Sequence, residues 1–116
     1  MNKIKVTLIF GWLVFLQPIA ANAAPNVWTD WYPVSQVYTY SDGSFFISLN
    51  PTSAHPNPAG CVSSSWLRVM PDQLNADQMY QMALTAQAAG LKINADVSGT
   101  SCSGSYLKPI HLRSRQ

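Results

Sequence analysis

"NADQMYQMALTAQAAGLKINADV", residues 75–97, is the stretch that sets the order of the fold. At about 100° per residue, Met79, Met82, Ala83, Ala86 and Ala89 share one stripe, with Tyr80 and Leu84 on its flank and Gln78, Gln81 and Thr85 opposite. Asn75 and Gln78 stand at capping-box spacing, and Asp77 suits the positive end of a helix. Gly90 is placed as the left-handed residue that ends it. From Leu91 the period becomes two: Leu91, Ile93, Ala95 and Val97 face inward, and Lys92, Asn94 and Asp96 outward. An amphipathic helix with a shallow, alanine-lined face therefore runs into a half-buried strand.

Upstream, "VYTYSDGSFFISL" (37–49) places Asp-Gly between aromatic and β-branched runs, the signal of a tight hairpin. With Asp42 and Gly43 as a two-residue loop, Tyr40 faces Phe45 and Tyr38 faces Ile47. Tyr38, Tyr40, Phe45, Ile47 and Leu49 are then the expected core face, and Val37, Thr39, Phe46 and Ser48 the other. "NPTSAHPNPAG" (50–60) is a surface loop, since its prolines remove backbone donors. "CVSSSWLRVM" (61–70) reads as a third strand with Val62, Trp66 and Val69 as apolar members, Trp66 in the core, and a bulge at the serines. Beyond the helix, "SGTSCSGS" (98–105) reads as a loop and "YLKPIHL" (106–112) as a last strand that Pro109 breaks or sends to an edge. The fold class expected is mainly β with one helix (α+β): an OB-type five-stranded Greek-key barrel with the helix between strands 3 and 4.

The chain has 116 residues. Its start reads as a leader: Lys3 and Lys5, an apolar run from Val6 to Leu16, then "QPIAANAAP" with Ala21 and Ala23 at small-x-small positions. The apolar run is short for a membrane span. The expected division is a cleaved signal peptide, 1–23, and a single domain, 24–116, exported to the periplasm or beyond. In 24–116, Arg68, Lys92, Lys108, Arg113 and Arg115 balance Asp30, Asp42, Asp72, Asp77 and Asp96, and glutamate is absent. That balance argues against a nucleic-acid partner, which needs clustered basic charge. Cys61 and Cys102 are expected to pair in an oxidising compartment.

The hairpin "VYTYSDGSFFISL", the helix exit at Ala86, Ala89, Gly90, Lys92 and Ile93, and the "CSGSY" run from Cys102 to Tyr106 together resemble the subtilase-cytotoxin B-subunit-like group of small exported bacterial proteins. The resemblance implies an OB fold with one disulfide. For the toxin members it implies a homopentameric ring with helices lining a pore, recognition of host-cell glycans, and an enzymatic A subunit seated on the ring. Those members hold a sialylated glycan through serine and threonine hydroxyls, a tyrosine and a charged group, a set that does not map residue by residue onto this chain.

The two histidines, His55 and His111, have no nucleophile or metal-ligand partner at a recognisable spacing, so neither catalysis, a metal nor a cofactor is expected. Glycan binding calls for an aromatic face and a few fixed polar groups. The candidates are Trp31, Tyr32 and Ser35 near the start, beside Trp28, and Ser103 and Tyr106 near the second cysteine. Gln78, Gln81 and Thr85 are the candidate oligomer or pore face. The competing expectation is a stand-alone periplasmic or secreted module that binds another protein, as an inhibitor or an envelope accessory factor.

Overall fold

The computed structural model describes residues 24–116; the leader expected at 1–23 lies outside the described residues. In chain order the elements are β1 (Val27–Trp28), β2 (Tyr32–Thr39), β3 (Phe45–Leu49), β4 (Leu67–Val69), α1 (Ala76–Ala89), β5 (Lys92–Ser103) and β6 (Tyr106–Arg115). The protein is mainly β with a single helix among the described residues, placed between β4 and β5. The strand order is β1-β5-β2-β3-β4-β6, with a further β5–β6 pairing. The ladder therefore leads from β5 through β2, β3, β4 and β6 back to β5. Only β4 with β6 is parallel; β1 is an added antiparallel strand on β5.

The β2–β3 hairpin forms, but one residue out of the expected register. Tyr38 pairs with Phe46, and Val37 with Ile47. The loop is Ser41-Asp42-Gly43: the Tyr40 N–H donates to the Ser44 carbonyl (2.8 Å) and the Gly43 N–H to the Tyr40 carbonyl (3.1 Å). Gly43 takes φ +88°, the left-handed residue that closes a three-residue loop. Asp42 stabilises this form by accepting from the Ser44 N–H (2.9 Å) and hydroxyl (2.6 Å). A one-residue slip exchanges the faces of a strand. Val37 and Thr39 thus share the core side with Phe45 and Ile47, while Tyr38 and Tyr40 join Phe46 on the outside.

The third strand is shorter than its sequence suggests. β4 begins at Leu67, Val62 is exposed, and Trp66 is half-buried against Tyr38 and Phe46 outside the core. The serines before it lie in an irregular segment, so there is no strand there to bulge. Conversely, β5 continues through the expected loop to Ser103, where Gly104 and Ser105 turn it into β6. Pro109 does not end β6: it is fully buried and pairs with Val97 where the β5–β6 register shifts and no N–H is missed.

Helix α1 ends as expected, with Gly90 at φ +69°. Its start differs. Asn75 makes no side-chain cap; its amide donates instead to the Ile110 carbonyl of β6 (3.0 Å), tying the helix to the sheet. Met79, Ala83 and Ala86 are buried against the core of Val34, Phe45, Ile47, Leu49, Leu67, Val69, Ile93 and Leu107. Ala89, expected in the same stripe, is exposed at the last turn.

The alternation of β5 sends Ile93, Ala95 and Val97 inward, yet Asn94 and Asp96 are also buried. The N-terminal segment covers them. Thr29 exchanges hydrogen bonds with the Ala95 backbone and accepts at its carbonyl from Asn94. The same segment passes so close to Gly99 that a Cβ there would meet the carbonyl oxygens of Ala24 and Pro25, and the Gly99 N–H donates to Asn26 Oδ1 (2.9 Å). Cys61 and Cys102 form the expected disulfide, with Cα atoms 5.8 Å apart. It joins the segment ahead of β4 to β5 itself rather than to a loop after it.

Candidate functional site

The antiparallel β5–β6 register sets Asn94 opposite Arg113, Lys92 opposite Arg115 and Asp96 opposite His111, and β1 adds Trp28 opposite Asp96. Opposed residues of an antiparallel pair share a face, as do alternate residues along a strand. All seven side chains therefore lie on one outer surface. Trp31, in the turn from β1 to β2, completes it. The Arg113 guanidinium carbon sits 4.0 Å from the centre of the Trp28 ring and 5.3 Å from that of Trp31. The Arg115 guanidinium carbon is 4.2 Å from the Trp31 ring. His111 lies along Trp28, the ring centres 6.5 Å apart and the planes 24° from parallel.

These contacts hold the guanidiniums over the indole rings, each cation–π contact contributing about 0.5–1 kcal/mol at an exposed site. Arg113 is fixed further by donating from Nε to Asn94 Oδ1 (3.0 Å). A stacked guanidinium keeps its N–H edge for a planar anion, where two parallel hydrogen bonds are possible. Among the described residues, the ion pairs are Arg68 with Asp42 and His111 with Asp96; neither Arg113 nor Arg115 is in one. The patch thus gathers Lys92, Arg113 and Arg115, while its one carboxylate faces His111 (3.1 Å). Balanced overall charge had concealed this concentration.

The expected ligand residues do not meet in one place. Trp31 is in the patch. Tyr32 opens β2, half-buried, with its ring against His55 (5.6 Å between centres). Ser35 is the unpaired residue where the β2–β3 register shifts, and its hydroxyl donates to the Ser48 carbonyl (3.0 Å). Ser103 is buried and its Oγ has no hydrogen-bond partner. Tyr106 stands edge-on to Phe46 (4.7 Å), on the outer face of the hairpin. Gln78, Gln81 and Thr85 share the exposed side of α1.

Arg113, Arg115 and His111 were not among the expected site residues. Their signal was the alternation in "HLRSR" (111–115), which puts three cationic or titratable groups on one strand face.

His55 is buried in the proline loop with Nε2 unpartnered, and burial pushes its pKa below the ordinary value. Among the described residues, no hydroxyl or thiol hydrogen-bonds to either imidazole, no cluster of three potential metal ligands occurs, and no helix is long and apolar enough to cross a membrane. No protein-family model and no curated protein matches the chain.

Proposed function

We propose that this is an exported, non-catalytic binding protein that recognises carboxylate-bearing glycans, in the manner of a toxin B subunit, through the Trp28–Trp31–Arg113–Arg115 surface. The observation that carries the reading is two arginines set over two tryptophan rings, neither of them paired with a carboxylate among the described residues. Such a surface suits the carboxylate of an acidic sugar, with the neighbouring His111 and exposed indole edge available to its ring and hydroxyls. The sheet supports an OB-type Greek-key barrel: its pairings return to β5, β4 and β6 are parallel, and the helix separates β4 from β5. The disulfide fits an oxidising compartment and so an exported chain. The uncovered Gln78, Gln81 and Thr85 side of α1 is the face that would line the pore of a homopentamer. An enzymatic A subunit is the corresponding partner.

A glycan array separates this reading from the stand-alone protein-binding module. Hits on sialylated or uronate-bearing glycans that are lost in Arg113→Ala/Arg115→Ala are expected; an array without such hits sinks the acidic-glycan reading. Native mass spectrometry tests the ring separately, a monomer at micromolar concentration being the contrary result.

A further inference from the structure

The slipped hairpin register builds a second aromatic surface on the opposite strands. Tyr38, Phe46 and Arg68 are consecutive cross-strand partners on β2, β3 and β4, so they form one row on the outside of the sheet. Phe46 is its floor, 1% exposed. Tyr38 stacks on it (5.2 Å, 15°), Tyr40 tilts against it (4.9 Å), and Trp66 and Tyr106 meet it edge-on. Tyr38 and Tyr40 remain 38% and 47% exposed. Exposed tyrosines with little freedom to move are an economical platform for stacking, because little side-chain entropy is lost on contact.

The charge state of this face selects its ligand. Arg68 lies over Phe46 and Tyr40, with two of its nitrogens engaged within the chain: Nη2 donates to Asp42 Oδ2 (3.0 Å) and Ser44 Oγ (3.1 Å), and Nε also to Ser44 Oγ (3.2 Å). Hydrogen bonds from Ser44 and the nearby Arg68 hold the Asp42 carboxyl below its usual range, so the pair stays ionised and self-neutralised. Among the described residues, Lys108, which alternation along β6 puts on Tyr106's side, is a single cation outside the ion pairs, where a nucleic-acid strand would require several. Burial, and then the neighbouring Tyr40 and Tyr106, push the Tyr38 phenol upward, which keeps it protonated as a neutral donor and acceptor.

We infer that the Tyr38–Tyr40 surface is a second binding site, which stacks a neutral β-linked hexose unit and hydrogen-bonds its hydroxyls through the phenols of Tyr38, Tyr40 and Tyr106. Pyranoses with equatorial hydroxyls present a flat C–H face to a ring and polar groups at its edge, which matches an aromatic floor with phenols at the rim. The inference does not draw on the arginine patch, and either site can fail without the other.

The test is a nuclear magnetic resonance titration of the exported protein with cellotetraose, chitotetraose and, separately, an oligothymidylate. Shifts from a neutral tetrasaccharide that centre on Tyr38, Tyr40 and Trp66 are expected. Tyr40→Ala should weaken that binding about tenfold, Tyr40→Phe should retain most of it, and Arg113→Ala should leave it unchanged. Because Tyr40 is exposed, Tyr40→Ala should fold, and circular dichroism checks that it does. The inference is overturned if neither tetrasaccharide shifts the face, if the oligothymidylate binds there more tightly, or if the tyrosines are instead covered by concentration-dependent self-association.

Discussion

Removing the disulfide should cost about 4 kcal/mol. Cys61 and Cys102 are 41 positions apart, and closing a loop of that length in the unfolded chain stabilises the fold by about that amount in the chain-entropy model. Small domains have total stabilities of about 5–15 kcal/mol, so this one link carries a large share. Cys61 is also 7% exposed and belongs to the core cluster, so a Cys61→Ala/Cys102→Ala variant loses some packing as well. Reducing the unaltered protein with a thiol keeps both sulfurs and isolates the crosslink. Urea unfolding of the oxidised protein, the reduced protein and the double variant separates the two contributions. The reduced form should lose about 4 kcal/mol and the double variant slightly more. A loss under about 1 kcal/mol on reduction would refute the reasoning, because the segment from 61 to 102 would then be held without the link.

Three further outcomes test the fold. His55 is buried with a pKa depressed below its ordinary 6.5, so its contribution to stability is whole above that value and is lost as pH falls from there through the folded pKa. His55→Gln should flatten the fall in urea midpoint between about pH 7 and pH 5; an unchanged slope would show that His55 is not its source. Ala83 is fully buried where the helix meets the sheet, so Ala83→Leu should cost about 1–3 kcal/mol by overpacking, and a neutral effect in thermal unfolding would mean that the contact is loose. Gly99→Ala should push the Ala24–Pro25 backbone off β5, seen as faster amide exchange at Gly99 and Ala95; unchanged exchange would contradict the close approach.

Much of the architecture was legible because it rests on local periodicity. The helix stripe, Gly90 and the inward set Ile93, Ala95 and Val97 all follow from short-range pattern. The register of the hairpin did not, because Asp-Gly fits both a two-residue loop and the end of a three-residue loop, and the choice lies with hydrogen bonds among Tyr40, Asp42 and Ser44. That single residue moved Tyr38 and Tyr40 from core to surface and carried Trp66 with them. The burial of Asn94 and Asp96 was equally hidden, since it depends on a segment more than sixty positions away crossing β5. For the site, Trp31 was readable as an aromatic candidate, but Arg113 and Arg115 gained meaning only when β6 was paired across to β5 and β1.

The most direct test of the account is calorimetry of the protein with sialyllactose and with lactose, which differ by the one carboxylated sugar. Sialyllactose should bind more tightly, the advantage should shrink as salt rises, and Arg113→Ala/Arg115→Ala should abolish it while Tyr40→Ala leaves it in place. Equal binding of the two sugars, or a sialyllactose preference that survives loss of both arginines, would contradict it.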